Sequence, residues 1–305
     1  MDRREVLRWA CHLVGGLGLS QLAACRSAPS RGASSATAQG PEPGYVLGTR
    51  HLIFGDRHAL LELDPFAHTV HALDEEGEVC HSFGSLGQDA DEFNFPLDAF
   101  VRSDGQVVVL DHGNSRVLGL SLEQERVRPQ GAHDTGNGLH LPRGLAWTSD
   151  AHYVCDTLQH ELHIYAADGA LRSVLDLSQL RFGRALGGPC GLSVDASGAL
   201  HLIGRHGDEV VVLSESGERL RSYGVPAEDP AALQSPSDIL VDDAGRVHVA
   251  DSLGRQLLCF SPAGELLARH RPTSDALPAP LEAHAPLGLA RMPGGAIYVR
   301  IADEA

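Results

Sequence analysis

The chain has 305 residues, and its 40 acidic residues outnumber its 24 basic residues, all of which are arginine. Proteins that bind nucleic acid neutralise phosphates with clustered cations, so we expect no nucleic-acid partner for this acidic chain, which has no basic tract. The absence of lysine excludes Schiff-base enzymes and nucleotide-binding loops that hold phosphate with lysine. The 34 glycines and 17 prolines indicate many turns, which is typical of an all-β protein.

The N-terminal segment has the features of an export signal. Arg3 and Arg4 precede an apolar run over residues 9–24 that is rich in glycine, alanine and leucine. This run is shorter than the roughly 20 residues that a membrane-spanning helix needs. We therefore predict that residues 1–24 are an export signal. The paired arginines resemble those of a twin-arginine signal, with Val6 in place of the usual phenylalanine.

Residues 22–25, Leu-Ala-Ala-Cys, resemble a bacterial lipobox. The resemblance implies that Cys25 is lipidated and becomes the first residue of an exported lipoprotein in the cell envelope, facing the periplasm or the cell surface. Arg26 after the cysteine favours the outer membrane. Residues 25–44 are mostly Ser, Ala, Pro and Gly, which cannot bury enough apolar surface to become ordered, so we predict a disordered tether. Residues 45–305 are predicted to form the folded domain.

A repeat of similar segments organises this domain. Five segments begin with a proline, at separations of 46, 47, 47 and 50 residues: Pro96, Pro142, Pro189, Pro236 and Pro286. A sixth unit, over residues 49–95, fits the same frame without its proline. Each unit contains short runs of Val, Leu and Ile bounded by turn residues, which predict strands rather than helices. A period of this length is typical of propellers or solenoids.

The repeats resemble the NHL-repeat β-propeller family, because a proline opens the first strand and a Val-x-Val-x-Asp pattern marks the second. The resemblance implies an all-β, six-bladed β-propeller, with a five-bladed ring as the alternative. The last unit contains only two strands, so we expect residues 45–47 to add an outer strand to it and close the ring.

Aspartate recurs at the end of the second strand, at Asp64, Asp111, Asp156 and Asp251. Recurrence at one position of a repeat favours a structural role, in which the carboxylate accepts hydrogen bonds from the following turn. We expect Arg116 and Arg255, in the same turns, to pair with carboxylates of neighbouring blades. His201 and His248 lie on second strands, where we expect them to be hydrogen-bonded within their blades.

The residues that follow each proline position are the candidates for ligand binding, since the loop into the first strand of a propeller faces the central channel. The candidates at this channel rim are Arg50, Asp98, Arg143, Cys190 and Asp238. Such a mixed set suits a small polar or zwitterionic ligand.

The stretch around Leu139 to Leu145 resembles the peptidyl-hydroxyglycine amidating lyases, zinc propellers in which a histidine follows the proline. Here no histidine follows any of the five prolines, so we expect no lyase activity and no cofactor. A rearranged metal site using His140, His112 and Cys190 is a weaker alternative. Cys155 and Cys190 are the only two cysteines that blade geometry makes a candidate pair for a disulfide.

Together these features predict a monomeric, lipid-anchored cell-envelope propeller that binds an envelope protein or a small polar ligand and is not an enzyme. The lipid is its only expected contact with the membrane. A metal-dependent lyase or hydrolase with a rearranged central site is the alternative.

Overall fold

The structure is a computed structural model, which describes residues 45–48, 51–54, 60–73, 79–101, 106–123, 126–133, 138–180, 188–204, 207–225, 229, 231–270, 285–292 and 295–301. The predicted export signal, the predicted tether, Cys25 and Arg50 lie outside these residues. None of the described residues belongs to a helix that is long and apolar enough to cross a membrane.

The described strands form six sheets, one for each sequence unit. The first strands of the sheets are β2 (His51–Phe54), β6 (Pro96–Val101), β10 (Pro142–Trp147), β14 (Pro189–Val194), β18 (Pro236–Val241) and β22 (Pro286–Arg291). The second strands are β3 (Leu60–Asp64), β7 (Gln106–Asp111), β11 (Ala151–Asp156), β15 (Leu200–Gly204), β19 (Val247–Asp251) and β23 (Ile297–Ile301).

Five sheets have four strands, connected in sequence order. Their third strands are β4 (Thr69–Leu73), β8 (Arg116–Glu123), β12 (Glu161–Ala166), β16 (Glu209–Leu213) and β20 (Gln256–Phe260). Their fourth strands are β5 (Val79–Phe83), β9 (Arg126–His133), β13 (Leu171–Asp176), β17 (Arg219–Gly224) and β21 (Leu266–His270).

The sheets are arranged in a ring, as expected for a β-propeller. Each first strand contacts the first strands of the neighbouring sheets, and β2 also contacts β22. The sixth sheet gains its third strand from β1 (Tyr45–Gly48), which pairs in parallel with β23. The expectation that this N-terminal segment completes the last unit is therefore confirmed.

The hydrophobic core lies between neighbouring sheets. Between the third and fourth sheets, Tyr153 and Leu162 pack with Leu202 and Val211, and all four are almost fully buried. Between the fourth and fifth sheets a second cluster contains Phe260. The fourth sheet therefore buries both faces, and its stability depends on the sheets on either side of it.

The first and second strands are paired in the same register in all five proline-initiated sheets. Pro96 pairs with Asp111 and Pro236 pairs with Asp251, and in all five sheets the register shifts immediately after the proline. The residue after each proline is therefore the extra residue of a β-bulge. The bulge changes which side chain of the first strand faces the channel.

The second-strand aspartates hold turns, as expected. Asp251 accepts hydrogen bonds from the backbone N–H of Gly254 in the following turn at 3.2 Å and of Ser235 at 2.8 Å. It also accepts one from the N–H of Gln234 at 3.1 Å, and Asp156 makes the same two kinds of contact. Because Ser235 and Gln234 precede β18, the carboxylate joins two loops at one end of the blade.

The expectation for Arg116 is wrong. Its Nε atom contacts Asp111 of the same sheet at 2.8 Å, because the two residues are paired in the β7–β8 register. The remaining guanidinium nitrogens donate to the backbone carbonyls of Gln88, Asp89 and Glu92, which connect the first sheet to the second. The guanidinium therefore links neighbouring units through backbone carbonyls rather than carboxylates.

Replacing Asp251 with alanine should lower the free energy of unfolding by about 3 kcal/mol, because three backbone N–H groups lose the acceptor that this buried carboxylate provides. Asp64→Ala is the matched control, since Asp64 occupies the equivalent position and its bonds to backbone N–H groups are exposed. We expect it to cost less than about 1 kcal/mol in urea denaturation. Equal losses in the two variants would contradict this account.

Candidate functional site

Two of the predicted rim residues face each other in the central channel. Asp98 on β6 and Asp238 on β18 each follow the bulge residue of their strand. Their sheets are three steps apart in the ring, and the two carboxyl groups are close enough for the charge of Asp238 to raise the pKa of Asp98.

Backbone N–H groups hold both carboxyl groups in place. Asp98 Oδ1 accepts a hydrogen bond from the N–H of Ala99 at 2.8 Å, and Asp238 Oδ1 accepts the equivalent bond from Ile239 at 2.8 Å. Asp238 Oδ2 also accepts one from Leu289 on β22 at 2.7 Å. Asp238 is therefore fixed by two strands of neighbouring sheets, whereas Asp98 is fixed by its own strand.

Arg300 is the third charged group of this site, and the sequence analysis missed it. It lies on β23 opposite Gly288 of β22. A Cβ atom at residue 288 would lie 3.3 Å from Arg300 Nε and 3.6 Å from Asp238 Oδ2, so glycine leaves the space that the guanidinium occupies. We call Asp98, Asp238 and Arg300 the channel triad.

A comparison of the repeats contains the signal for Arg300. The same register position on the second strand of the other proline-initiated sheets is apolar or a thiol, at Leu110, Cys155, Ile203 and Ala250. A charged residue at a position that is otherwise buried inside a propeller indicates a specific partner.

Burial raises the pKa values of both carboxyl groups, and the charge of Asp238 raises that of Asp98 further. Burial, and then the charge of Asp238, raise the pKa of Asp98 from 3.8 to about 8. Burial raises the pKa of Asp238 to about 6, while hydrogen bonds from Leu289 and Ile239 and the charge of Arg300 oppose the rise. Near neutral pH Asp98 is therefore mostly a carboxylic acid and Asp238 mostly a carboxylate.

The guanidinium of Arg300 has unused hydrogen-bonding capacity. Burial lowers the pKa of Arg300, and the two carboxyl groups oppose that effect. Among the described residues, the buried Nε–H group of Arg300 has no hydrogen-bond partner. An unsatisfied buried donor costs about 1–3 kcal/mol of stability. A polar molecule that accepted a hydrogen bond from this atom would recover that free energy on binding.

The other rim candidates have different surroundings. Arg143 is the bulge residue of β10, and it is exposed. Burial lowers the pKa of His112, and the charge of Arg143 lowers it further. Cys190 is the bulge residue of β14, and its Sγ atom contacts the carbonyl oxygen of Pro236 at 3.7 Å. The structure therefore brings Asp98 and Asp238 together but places Cys190 in a contact between sheets.

The bulge-residue contact of Cys190 belongs to a series that joins successive sheets. The proline carbonyls that open the third, fourth, fifth and sixth sheets each accept a bond from the sheet before. The donors are His112 Nδ1 to Pro142 at 2.8 Å, Thr157 Oγ1 to Pro189 at 2.7 Å, and Ser237 Oγ to Pro286 at 2.9 Å. His112 and Cys190 are therefore engaged in holding the ring.

The weaker metal set of His140, His112 and Cys190 is not assembled. Within the described residues, the one group of three potential metal-binding side chains is Asp156, Glu161 and His163. Both oxygens of Asp156 already accept backbone N–H bonds, and His163 Nε2 lies 2.9 Å from Glu161, so this group is a hydrogen-bonded part of the third blade.

The cysteine pair Cys155 and Cys190 consists of free thiols in this structure. Burial, and then the proximity of Cys190, raise the pKa of the Cys155 thiol. The candidate disulfide is therefore not formed here, although the two residues are neighbours. His201 and His248 are bonded within their blades, to Asp195 and Asp242 at 3.1 Å, as expected.

The raised pKa of Asp98 predicts how stability depends on pH. The folded state keeps the Asp98 proton up to about pH 8 and the unfolded state releases it near 3.8, so the free energy of unfolding should fall as pH rises across this interval. We expect the free energy of unfolding of the wild type, measured by urea denaturation, to fall between about pH 5 and about pH 8.5. The fall should exceed that of Asp98→Asn by more than about 1 kcal/mol.

Asp176→Asn is the control for this measurement, because hydrogen bonds from Ser178 lower the pKa of the exposed Asp176 carboxyl. The free energy of unfolding of Asp176→Asn should fall with pH as much as that of the wild type does. A difference between wild type and Asp98→Asn that is the same at both pH values would contradict the assignment.

The propeller fold is confirmed by solved structures. The chain is similar to virginiamycin B lyase from Staphylococcus aureus, with a TM-score of 0.58 and 13% identity, over 82% of this chain and 76% of the other. A streptogramin B lyase has a TM-score of 0.61 and 14% identity, with 83% and 90% covered. A chain of a nidogen/laminin complex has a TM-score of 0.59 and 16% identity, with 83% and 85% covered.

At these identities the likeness shows the fold alone. A comparison with curated protein sequences finds no match. The family model for the SMP-30/Gluconolactonase/LRE-like region matches residues 21–236. The chain therefore belongs to the SMP-30/gluconolactonase/LRE-like family.

Proposed function

We propose that this protein is a non-enzymatic, ligand-binding propeller whose channel triad holds a small polar molecule. The observation that carries the proposal is the buried, unpartnered Nε–H group of Arg300, which lies close enough to Asp98 and Asp238 to affect their pKa values. Half-buried charged groups in a channel, with one buried donor unused, are typical of a binding site rather than of a packed core.

The charges of the triad favour a zwitterionic or dipolar ligand. Arg300 offers a donor to an anionic or carbonyl group. Asp238 is mostly ionised near neutral pH, and its charge attracts an ammonium or hydroxyl group of the ligand. Because Arg300 and ionised Asp238 balance each other while Asp98 is protonated, a ligand without net charge would bind without leaving an unpaired charge in the channel.

We place the protein in the cell envelope as a monomeric lipoprotein. In this proposal residues 1–24 direct export, Cys25 carries the lipid and residues 25–44 are the tether. Tyr45, the first residue of β1, pairs with Ile297 at the start of β23, at the opposite end of the sheet from Pro286. The tether would therefore leave the ring at the end away from the prolines, and the proline end would face an envelope protein or solute.

A second candidate function is a metal-dependent lyase or hydrolase that uses a rearranged site in the channel. The family name includes a lactonase, and two of the similar structures are lyases. A carboxylic acid beside a carboxylate is also the arrangement that general acid–base catalysis uses. Turnover of gluconolactone or virginiamycin B that is lost in Asp98→Asn would establish this candidate and overturn the first.

Thermal-shift measurements with amino acids, simple cations, simple anions and neutral sugars test the binding proposal. A zwitterion that binds the wild type should raise its Tm by several degrees at about 100 times its Kd. The shift should disappear in Asp238→Asn and Arg300→Gln. It should persist in Arg291→Gln, whose arginine forms a surface contact with Asp243. A shift that survives in both triad variants would contradict the proposal.

Metabolic labelling with palmitate tests the proposed anchor. The wild type should be labelled and sediment with membranes, while Cys25→Ala should be unlabelled and soluble after export, because the thiol that accepts the lipid is missing. Cys80→Ala is the control, since Cys80 is an exposed cysteine of the folded domain. Labelling that persists in Cys25→Ala would refute the anchor.

A further inference from the structure

Large apolar side chains are exposed at three turns of the propeller. Phe66, Leu158 and Leu253 are 83%, 62% and 67% exposed. They lie between the second and third strands of the first, third and fifth sheets, and each comes two residues after the aspartate that ends the second strand. We call these three residues the apolar tips.

The apolar tips lie at the end of the propeller where the prolines are. The aromatic ring of Phe66 contacts that of Phe95, which directly precedes β6, with 5.4 Å between the ring centroids. The backbone N–H of Ser252, next to the tip of the fifth sheet, donates to the carbonyl of Ser235, which directly precedes β18, at 3.1 Å. Leu141, which directly precedes β10, is 44% exposed at the same end. Large exposed apolar side chains that share one end of a domain are typical of a protein–protein contact surface.

The turn itself does not require an apolar residue at its tip. Gly113 has the same place in the second sheet, two residues after Asp111, and it is also exposed. The fourth residue after the aspartate has a positive φ in all four turns, with values of 59°, 54°, 57° and 48° at His68, Ser115, His160 and Arg255. One backbone conformation therefore accepts glycine, phenylalanine or leucine at the tip, and the turn does not explain the three apolar residues.

The opposite end of the propeller is acidic. Exposed acidic residues lie in the described turns that connect first to second or third to fourth strands, at Asp150, Asp168, Glu215, Glu218, Asp243 and Glu265. The proposed tether joins β1 at this end. The apolar tips therefore point away from the site of attachment, and their occupant has to approach from the side that the tether leaves free.

Charge opposes two other occupants of the tips. The chain has a formal net charge of -16. Insertion of the tips into the anchoring bilayer would require the propeller to turn over and this acidic domain to lie against anionic headgroups, which repel it. A second copy docked end to end would bring two such domains together, and it would direct its own tether away from the membrane.

We propose that the apolar tips dock a folded envelope protein that has an apolar surface with basic residues around it. The apolar surface matches the tips, and the basic residues match the net charge of the chain, which attracts a cationic partner. The proposal rests on the proposed function for the place in the cell envelope and for the exit of the tether. It does not depend on any ligand of the channel triad.

The spacing of the tips determines the size of the partner. The first, third and fifth sheets are two steps apart in the ring, so the tips surround the channel mouth. An extended peptide or a small molecule follows one line and reaches only part of this arrangement. A partner that contacts all three tips has to be a folded surface that covers the mouth. The docked partner therefore also closes the proline end of the channel.

The experiment is photo-crosslinking of the full-length lipoprotein in the cells that produce it, with p-benzoylphenylalanine in place of Phe66, Leu158 or Leu253. All three positions should give a crosslinked product of the same mass, in which mass spectrometry identifies the same partner. Val174 and Leu220 are the control positions, since they are exposed apolar residues of the outer strands β13 and β17. The same replacement there should give no such product.

Titration calorimetry with the identified and purified partner measures what the tips contribute. Phe66→Ser, Leu158→Ser and Leu253→Ser combined should raise the Kd at least ~10-fold, because the apolar surface of the partner loses its contacts. Val174→Ser combined with Leu220→Ser should leave the Kd unchanged. The Kd of the wild type should rise with salt concentration, since salt screens the attraction between an acidic domain and basic residues.

Three results of these measurements would overturn the proposal. One is that the tips crosslink to different proteins or to none. Another is a product that contains two copies of this chain, which would make the tips a dimer contact. The third is a Kd that the combined serine variant leaves unchanged while its circular dichroism spectrum is that of the wild type. Crosslinking does not use the serine variant, so it decides the proposal even if that variant does not fold.

Vesicles of phosphatidylethanolamine and phosphatidylglycerol test the membrane as an occupant. Soluble Cys25→Ala protein should not float with them. Flotation that the three serine substitutions abolish would show that the tips insert into lipid, and the proposal would then be wrong. None of these measurements uses a ligand of the channel triad, so a failure here is distinguishable from a failure of the thermal-shift test. The palmitate test decides the anchor separately.

Discussion

The register between the first and second strands of each blade is the constraint on which the rest of the structure depends. In five blades a proline pairs with the last residue of the second strand, and the residue after the proline bulges out of the ladder. This arrangement repeats around the ring. In the five proline-initiated blades it places the third residue of the first strand, counted from the proline, at the channel.

The same register organises the contacts that hold neighbouring blades together. The second-strand aspartates, the proline carbonyls and the bulge residues all lie at one end of the blades. Hydrogen bonds at this end connect each blade to the next, while apolar side chains fill the space between sheets. The polar end and the apolar interior therefore stabilise the ring by different interactions. The residues of the channel site lie on the inner strands, which the hydrogen bonds and the apolar packing together hold in place.

The channel triad is the main departure from this pattern. Asp98 and Asp238 occupy positions where the third, fourth and sixth blades have glycine, at Gly144, Gly191 and Gly288. Burying such charges opposes folding unless they are compensated, and compensation here is incomplete because Arg300 Nε has no partner among the described residues. A costly group that is retained in a channel is more consistent with function than with stability.

Much of the architecture could be predicted from the sequence because the proline period and the turn residues repeat. The closing strand over residues 45–48 followed from counting the strands of the last unit. The site was harder to predict than the architecture, because the types of residue in a strand do not reveal a register shift. Cys190 and Asp98 were therefore assigned to one rim, although the bulge separates them. Arg300 was missed because its role depends on its pairing with Gly288 across two strands.

The account depends most directly on the protonation of the channel, and carboxyl ¹³C NMR of the wild type measures it. The resonance that is missing from the spectrum of Asp98→Asn is that of Asp98. The account predicts that Asp98 titrates near pH 8 and Asp238 near pH 6, as expected for two carboxyl groups that are withdrawn from water, of which the second is stabilised by hydrogen bonds from Leu289 and Ile239. If both carboxyl groups titrated near 3.8, their ordinary value, the two residues would not be buried together and the channel triad would be contradicted.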